Sequence, residues 1–140
     1  MSCRATRPPL HVHAIVALCV LNHVALSGGR VALALQALRL GQSSVGLALM
    51  LAPFALASTL SALPLGRWVD RVGARVPALA GMALMCLALA SAAWRPGVAA
   101  LTCAAAAIGL GYTTSLIALQ SELARDRDDR ERNEIGRAHV

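Results

Sequence analysis

The sequence predicts an all-α membrane protein built from four antiparallel transmembrane helices. Three observations carry this reading. First, 57% of the residues are hydrophobic and only 14% charged, against roughly 25% charged in soluble domains, and the mean hydropathy is +0.62. So few polar side chains cannot cover a water-facing surface, and lipid has to take that role. Second, four stretches reach the roughly 20 mostly apolar residues needed to cross a bilayer. Third, the charged residues gather at the ends of those stretches, where a topology signal belongs.

Residues 1–12 carry Arg4 and Arg7 and are expected to form a cytoplasmic N-terminus. The first predicted helix covers residues 13–38 and is interrupted by Arg30. At a rise of about 1.5 Å per residue, Arg30 stands roughly 25 Å from its start, in the outer third of a hydrocarbon core about 30 Å thick. There the guanidinium either snorkels to the interface or faces a polar cavity. A cleavable signal peptide is the rival reading, because Ala32-Leu33-Ala34 has the small-x-small form. Asn22, His23 and Arg30 make a poor apolar segment for one, and three further spans follow.

The second helix is expected over 44–65, after a turn at 41–43, and the third over 76–94. The fourth is expected over 97–120, after Arg95-Pro96. None of these three spans contains a charged residue. Short turns force antiparallel neighbours, hence a compact hairpin bundle. Residues 121–133 mix both signs of charge and read as a solvated cytoplasmic loop. With the N-terminus inside, Arg4, Arg7, Arg67, Arg71, Arg75, Arg125, Arg127, Arg130 and Arg132 lie on the cytoplasmic side, and only Arg39 and Arg95 lie outside. That asymmetry obeys the positive-inside rule.

Several function classes are excluded at this level. The net charge of +6 comes from arginine alone, with 3% aromatics and no base-stacking platform among the basic residues, so no nucleic-acid partner is expected. Cys3, Cys19, Cys86 and Cys103 show no C-x-x-C spacing and read as small buried hydrophobes. No nucleophile triad or metal-ligand spacing falls on one face, so neither an enzyme nor a cofactor is expected.

The connection between the second and third helices, residues 66–75, reads Gly66-Arg67-Trp68-Val69-Asp70-Arg71-Val72-Gly73-Ala74-Arg75. It resembles the signature cytoplasmic loop of the major facilitator superfamily, G-x-x-x-D-R-x-G-R-[RK], in which Gly66, Asp70, Arg71, Gly73 and Arg75 match and Ala74 departs. Gly66 is expected to let a neighbouring backbone approach, and Gly73 to supply a permissive turn. Asp70 is an acceptor for a helix terminus or an arginine. Arg71 and Arg75 hold the loop inside, against anionic lipid heads.

The resemblance implies the start of a six-helix half, and a secondary transporter whose first and fourth helices line a central cavity. Gly109-Leu110-Gly111 is similar to the glycine pair of the family's fourth helix, but is read first as close helix packing. Ala105 stands where many proton-coupled members carry arginine. The implied partners are a small-molecule substrate, the lipid bilayer and further C-terminal helices of the same chain, in a bacterial inner membrane. Residues 134–140 match the in-frame translation of a common sequencing adapter and are expected to be adapter-derived. The chain is therefore expected to be a fragment, inactive alone. The alternative is a complete four-helix protein, either a multidrug-exporter-like dimer or a scaffold; the exporter class needs a membrane-embedded glutamate in its first helix, which is lacking here.

Polar residues inside spans are costly and become site candidates by default. On the first helix, His23, Ser27 and Arg30 fall within about 60° of one another at 100° per residue. Asn22 sits beside them, and Tyr112 and Thr113 stand on the fourth helix. These six are the expected cavity residues. No Asp or Glu lies in any predicted span.

Overall fold

The computed structural model describes residues 10–94 and 97–138, with side-chain surroundings for 12–94 and 97–128. Arg4, Arg7, Cys3, Arg95 and Pro96 lie outside the described residues. Four helices follow in order: α1 Leu10–Arg39, α2 Ser44–Val72, α3 Arg75–Trp94 and α4 Val98–Ala138. All four contain windows apolar and long enough to cross a membrane, with mean hydropathies between 1.5 and 2.0.

Local chemistry sets the helix ends. At the close of α1, Gly41 adopts φ +73°. Its N–H donates to Leu38 O at 2.9 Å while the Gln42 N–H donates to Ala37 O at 3.2 Å, the paired bonds of a Schellman cap. Ser43 then caps α2, its Oγ accepting from the Gly46 N–H at 3.2 Å. Gly73 ends α2 at φ +88°, donating to Val69 O at 2.9 Å. An L-residue is strained at that φ, which accounts for glycine there.

Two expected loops are helical instead. Residues 66–72 continue α2, leaving only Gly73 and Ala74 between α2 and α3. Residues 121–133, expected as a loop, prolong α4 beyond the apolar span. The sequence there lacks proline and glycine, is rich in Arg with Asp and Glu, and spaces opposite charges at i,i+4 in Asp126/Arg130, Arg127/Glu131 and Asp128/Arg132. Such pairs support a helix in water by a few tenths of a kcal/mol each. Charge pattern ended the span without ending the helix.

α4 is the central element. α2 and α3 pack along its length, α1 packs on it less extensively, and the other three barely touch one another. Glycines set the two closest crossings. A Cβ on Gly81 of α3 would collide with the backbone carbonyl of Gly111, and one on Gly111 would stand 2.6 Å from Gly81 O. A Cβ on Gly109 would collide with the Phe54 carbonyl of α2. Across that contact the Ser58 hydroxyl donates to Gly109 O at 3.1 Å. Without a hydrophobic force between helices in lipid, such close backbone packing drives association.

Around these crossings lies a core of Leu33, Ala37, Met50, Met85, Ala88, Leu101, Ala104, Ala105 and Ile108. A second, smaller cluster of Val69, Ala74 and Ala118 closes the end that carries the signature residues. Leu49, Leu56, Leu60 and Leu63 of α2 are exposed, as suits side chains meant for lipid. Cys86 and Cys103 are also exposed rather than buried, and Cys19 is half-buried.

Replacing Gly81 or Gly109 by alanine puts a methyl against a carbonyl that cannot move alone. Each change is expected to cost about 1–3 kcal/mol, read by detergent-denaturation of the purified chain. Gly66→Ala, at a position with nothing within 4 Å, is expected to be neutral or slightly stabilising. Equal loss in all three variants would refute the crossing model.

Candidate functional site: the contact between the first and fourth helices

The cavity candidates divide into two layers. Asn22 is buried, 3% exposed, and its side-chain amide lies 3.1 Å from Ser115 Oγ on α4. Ser115 carries one hydrogen, and its nearest acceptor is the Gly111 carbonyl at 2.8 Å. With that hydrogen engaged, the amide pairs best with its NH2 turned toward Ser115 Oγ. This orientation also gives a partner to the Asn22 nitrogen, which otherwise is buried without one. Asn22 is therefore a buried clamp between α1 and α4, not a groove-facing group.

His23, one position on, is exposed. Its Nδ1 lies 2.9 Å from the Cys19 carbonyl, which can only accept, so Nδ1 carries the hydrogen. Nε2 is then the acceptor of the neutral ring, and the Tyr112 hydroxyl of α4 donates to it at 2.9 Å. The two rings meet edge to face, centroids 5.4 Å apart and 88° between planes, a geometry the aromatic quadrupole favours. Helix α1 thus fixes the tautomer, and α4 reads it.

His23 and Ser27 line a groove of about 630 Å³, with Val16, Val20 and Val24 of α1 as its apolar wall and Leu123 of α4 at one end. Two turns beyond His23, the Arg30 guanidinium stands 5.2 Å from the centre of the Phe54 ring of α2, within cation–π range. His23, Ser27 and Arg30 are all exposed, as their shared helical face predicts. Thr113 is half-buried and donates to its own helix at Gly109 O, 2.9 Å; no interaction joins it to α1 among the described residues.

Sequence reading missed Ser115, Ser58 and Phe54. The two serines were visible as hydroxyls inside apolar spans, but only the helix crossings show that they bridge between helices. Phe54, the single phenylalanine, gains meaning only through Arg30 above it.

At the other end, Asp70, Arg71 and Arg75 are exposed. Asp70 meets neither a helix terminus nor an arginine: its carboxylate forms no ion pair or hydrogen bond among the described residues. Gly66 does not admit a close backbone, because Val69, about 60° around α2, takes the contact with Ala118 and Ala74. Gly73 is the permissive turn expected of it. Ala105, 1% exposed, packs within the core of α4, so that position holds neither charge nor room for one.

The family model described as Major Facilitator Superfamily matches residues 14–132, all but the ends of the chain. The chain belongs to the major facilitator superfamily. It is a multi-pass membrane protein of transporter type and not an enzyme. No curated protein and no solved structure matches it. Within the superfamily frame, the matched stretch takes in both the α1–α4 contact and the signature residues 66–75.

Removing the Tyr112 hydroxyl in Tyr112→Phe is expected to cost about 0.5–1.5 kcal/mol in the purified chain. A double-mutant cycle with His23→Leu should recover a coupling of the same size. A coupling near zero would mean that the two side chains touch without supporting each other.

Proposed function

We propose that the chain forms part of a secondary active transporter that moves a small solute by alternating access. The observation that carries this reading is that His23 and Ser27 of α1 line one groove in an otherwise apolar bundle, with Tyr112 of α4 hydrogen-bonded to His23. Polar groups kept inside a membrane at such cost serve a solute path more readily than packing. In this reading His23, Ser27, Arg30, Tyr112 and Thr113 belong to one cavity wall, and the buried Asn22 fixes α1 behind it. Further helices of the same chain supply the opposite wall, and α1 and α4 flank the path.

The arginine asymmetry supports a cytoplasmic N-terminus in a bacterial inner membrane. Cysteines introduced at Gln42 and Gly97 are then expected to react with an impermeant reagent from outside. Reaction only from the cytoplasmic face would invert the topology.

Asp70 is the proposed conformational latch. It lies exposed at the cytoplasmic end of α2, at the matched acidic position of the signature stretch, with its carboxylate unengaged among the described residues. A charge-assisted bond to a helix N-terminus or an arginine of the opposing helices would form only with that mouth closed. Such a bond contributes about 1–3 kcal/mol, which shifts a two-state equilibrium about fivefold to more than a hundredfold. Asp70→Asn is expected to insert normally, lose flux by at least that lower factor, and populate the inward-facing state. His23→Ala is expected to insert normally and change flux and its pH dependence. Wild-type flux and accessibility in both variants would reject the transport reading of these residues.

A further inference from the structure

We infer that the outward face of α2 is a docking site for one anionic phospholipid. Arg67 and Arg71 hold its phosphate, and the exposed leucines that precede them on that face carry its acyl chain.

Helix α2 meets α4 through Phe54 and Ser58, and its other side is left uncovered. Leu49, Leu56, Leu60, Arg67 and Arg71 fall within about 60° of one another on that side, at 100° per residue. The three leucines are 68%, 60% and 76% exposed, and both arginines are exposed as well. From Leu56 to Arg67 the helix rises roughly 16 Å, about half of a hydrocarbon core some 30 Å thick. One strip of α2 is thus apolar over the depth of one leaflet and then cationic. A phospholipid presents its groups in that same order, acyl chain and then phosphate.

The charges select the headgroup. Arg67 and Arg71 stand one turn apart, about 6 Å along the axis and 40° around it, so both guanidinium groups reach one phosphate. Each presents paired N–H donors that match two oxygens of an oxyanion. Arg75, exposed at the start of α3 just beyond the Gly73–Ala74 turn, adds a third cation at the same end. None of the three meets a carboxylate among the described residues; even Asp70, about 60° around α2 from Arg67, is bonded to neither neighbour. A zwitterionic lipid would bring its own ammonium into this cationic patch. A lipid of net negative charge brings none, and supplies the counter-charge that the chain withholds. A second copy docked on the strip by a two-fold axis along the membrane normal would set arginine against arginine. Trp68 flanks the patch, about 60° around from Arg71 and 36% exposed, an aromatic ring suited to headgroup depth.

The test uses the full chain carrying Trp94→Phe, which leaves Trp68 as its single tryptophan, in vesicles of phosphatidylcholine and phosphatidylglycerol. Bromine on the acyl chains of either lipid quenches Trp68 on contact, so quenching against lipid fraction gives their relative binding. Phosphatidylglycerol is expected to bind at least about fivefold more tightly than phosphatidylcholine. Arg67→Gln with Arg71→Gln should erase that preference. Arg125→Gln with Arg127→Gln, which removes the same charge from α4, should leave it intact. Excess inorganic phosphate should not relieve quenching by the brominated phosphatidylglycerol. Equal binding of the two lipids by the parent chain overturns the site, whether or not any arginine variant folds. So does an equal loss from the α4 pair, which would reduce the preference to net charge. Relief by inorganic phosphate overturns the lipid as ligand. Weak quenching by both lipids, with chain-to-chain cross-linking through Leu60→Cys, assigns the face to a second copy instead.

Discussion

The contact on which the rest of this structure depends is the crossing of α4 with α3 and α2 at backbone distance. Gly81 and Gly111 face each other so closely that neither has room for a side chain, and Gly109 stands equally close to the Phe54 carbonyl. In water the burial of Leu101 or Ile108 would be the main force holding such helices together. In lipid the tails are as apolar as those side chains, so close van der Waals contact and the few interhelical hydrogen bonds must hold the bundle. The glycines let the backbones reach that range, and the Ser58 bond to Gly109 O fixes the register at one crossing. Everything displayed by α4, including Tyr112 and Ser115, inherits its position from there.

Helix α1 is attached by different chemistry. It meets α4 through the Asn22–Ser115 pair and the His23–Tyr112 pair, one buried and one open to the groove. The buried pair lies one residue along α1 from the open one, so the clamp sets the rotation of α1 that aims His23 at Tyr112. Gly29 helps from the same face: a Cβ there would press on the flexible Leu89 side chain at 3.2 Å, a softer limit than a carbonyl. The site is therefore built on a rigid helix and faced by a more loosely held one.

Much of the fold was legible because a bilayer leaves few choices: length and hydropathy placed four spans, and Gly41 and Gly73 marked two of the turns. The sharing of one face by His23, Ser27 and Arg30 also followed from helical period alone. What escaped the sequence reading was where helices end and which face meets which neighbour. The α4 helix continues through residues whose opposite charges are spaced i,i+4 in the sequence, a pattern that suits a helix in water and to which hydropathy is blind. Asn22 and His23 are adjacent and both polar, yet a 100° step buries one and exposes the other; only the position of α4 decides which. Gly66 shows the same limit in reverse. Its match to a family position suggested a close crossing, while the glycines that make crossings are Gly81, Gly109 and Gly111.

These attachments differ in strength in a way that bears on motion. An interhelical hydrogen bond between polar side chains in a membrane averages about 0.6 kcal/mol and rarely exceeds about 1.7. Two such pairs hold α1 by only a few kcal/mol beyond its packing, and that packing on α4 is less extensive than that of α2 or α3. Displacing α3 or α2 instead means pulling apart backbones locked at glycines, with the buried core of Met85, Leu101 and Ile108 around them. The least costly internal rearrangement of these four helices is accordingly a shift of α1 against α4. That shift would break or remake the hydrogen bond from the Tyr112 hydroxyl to His23 Nε2. The least costly motion thus falls at the contact proposed above as part of the solute path.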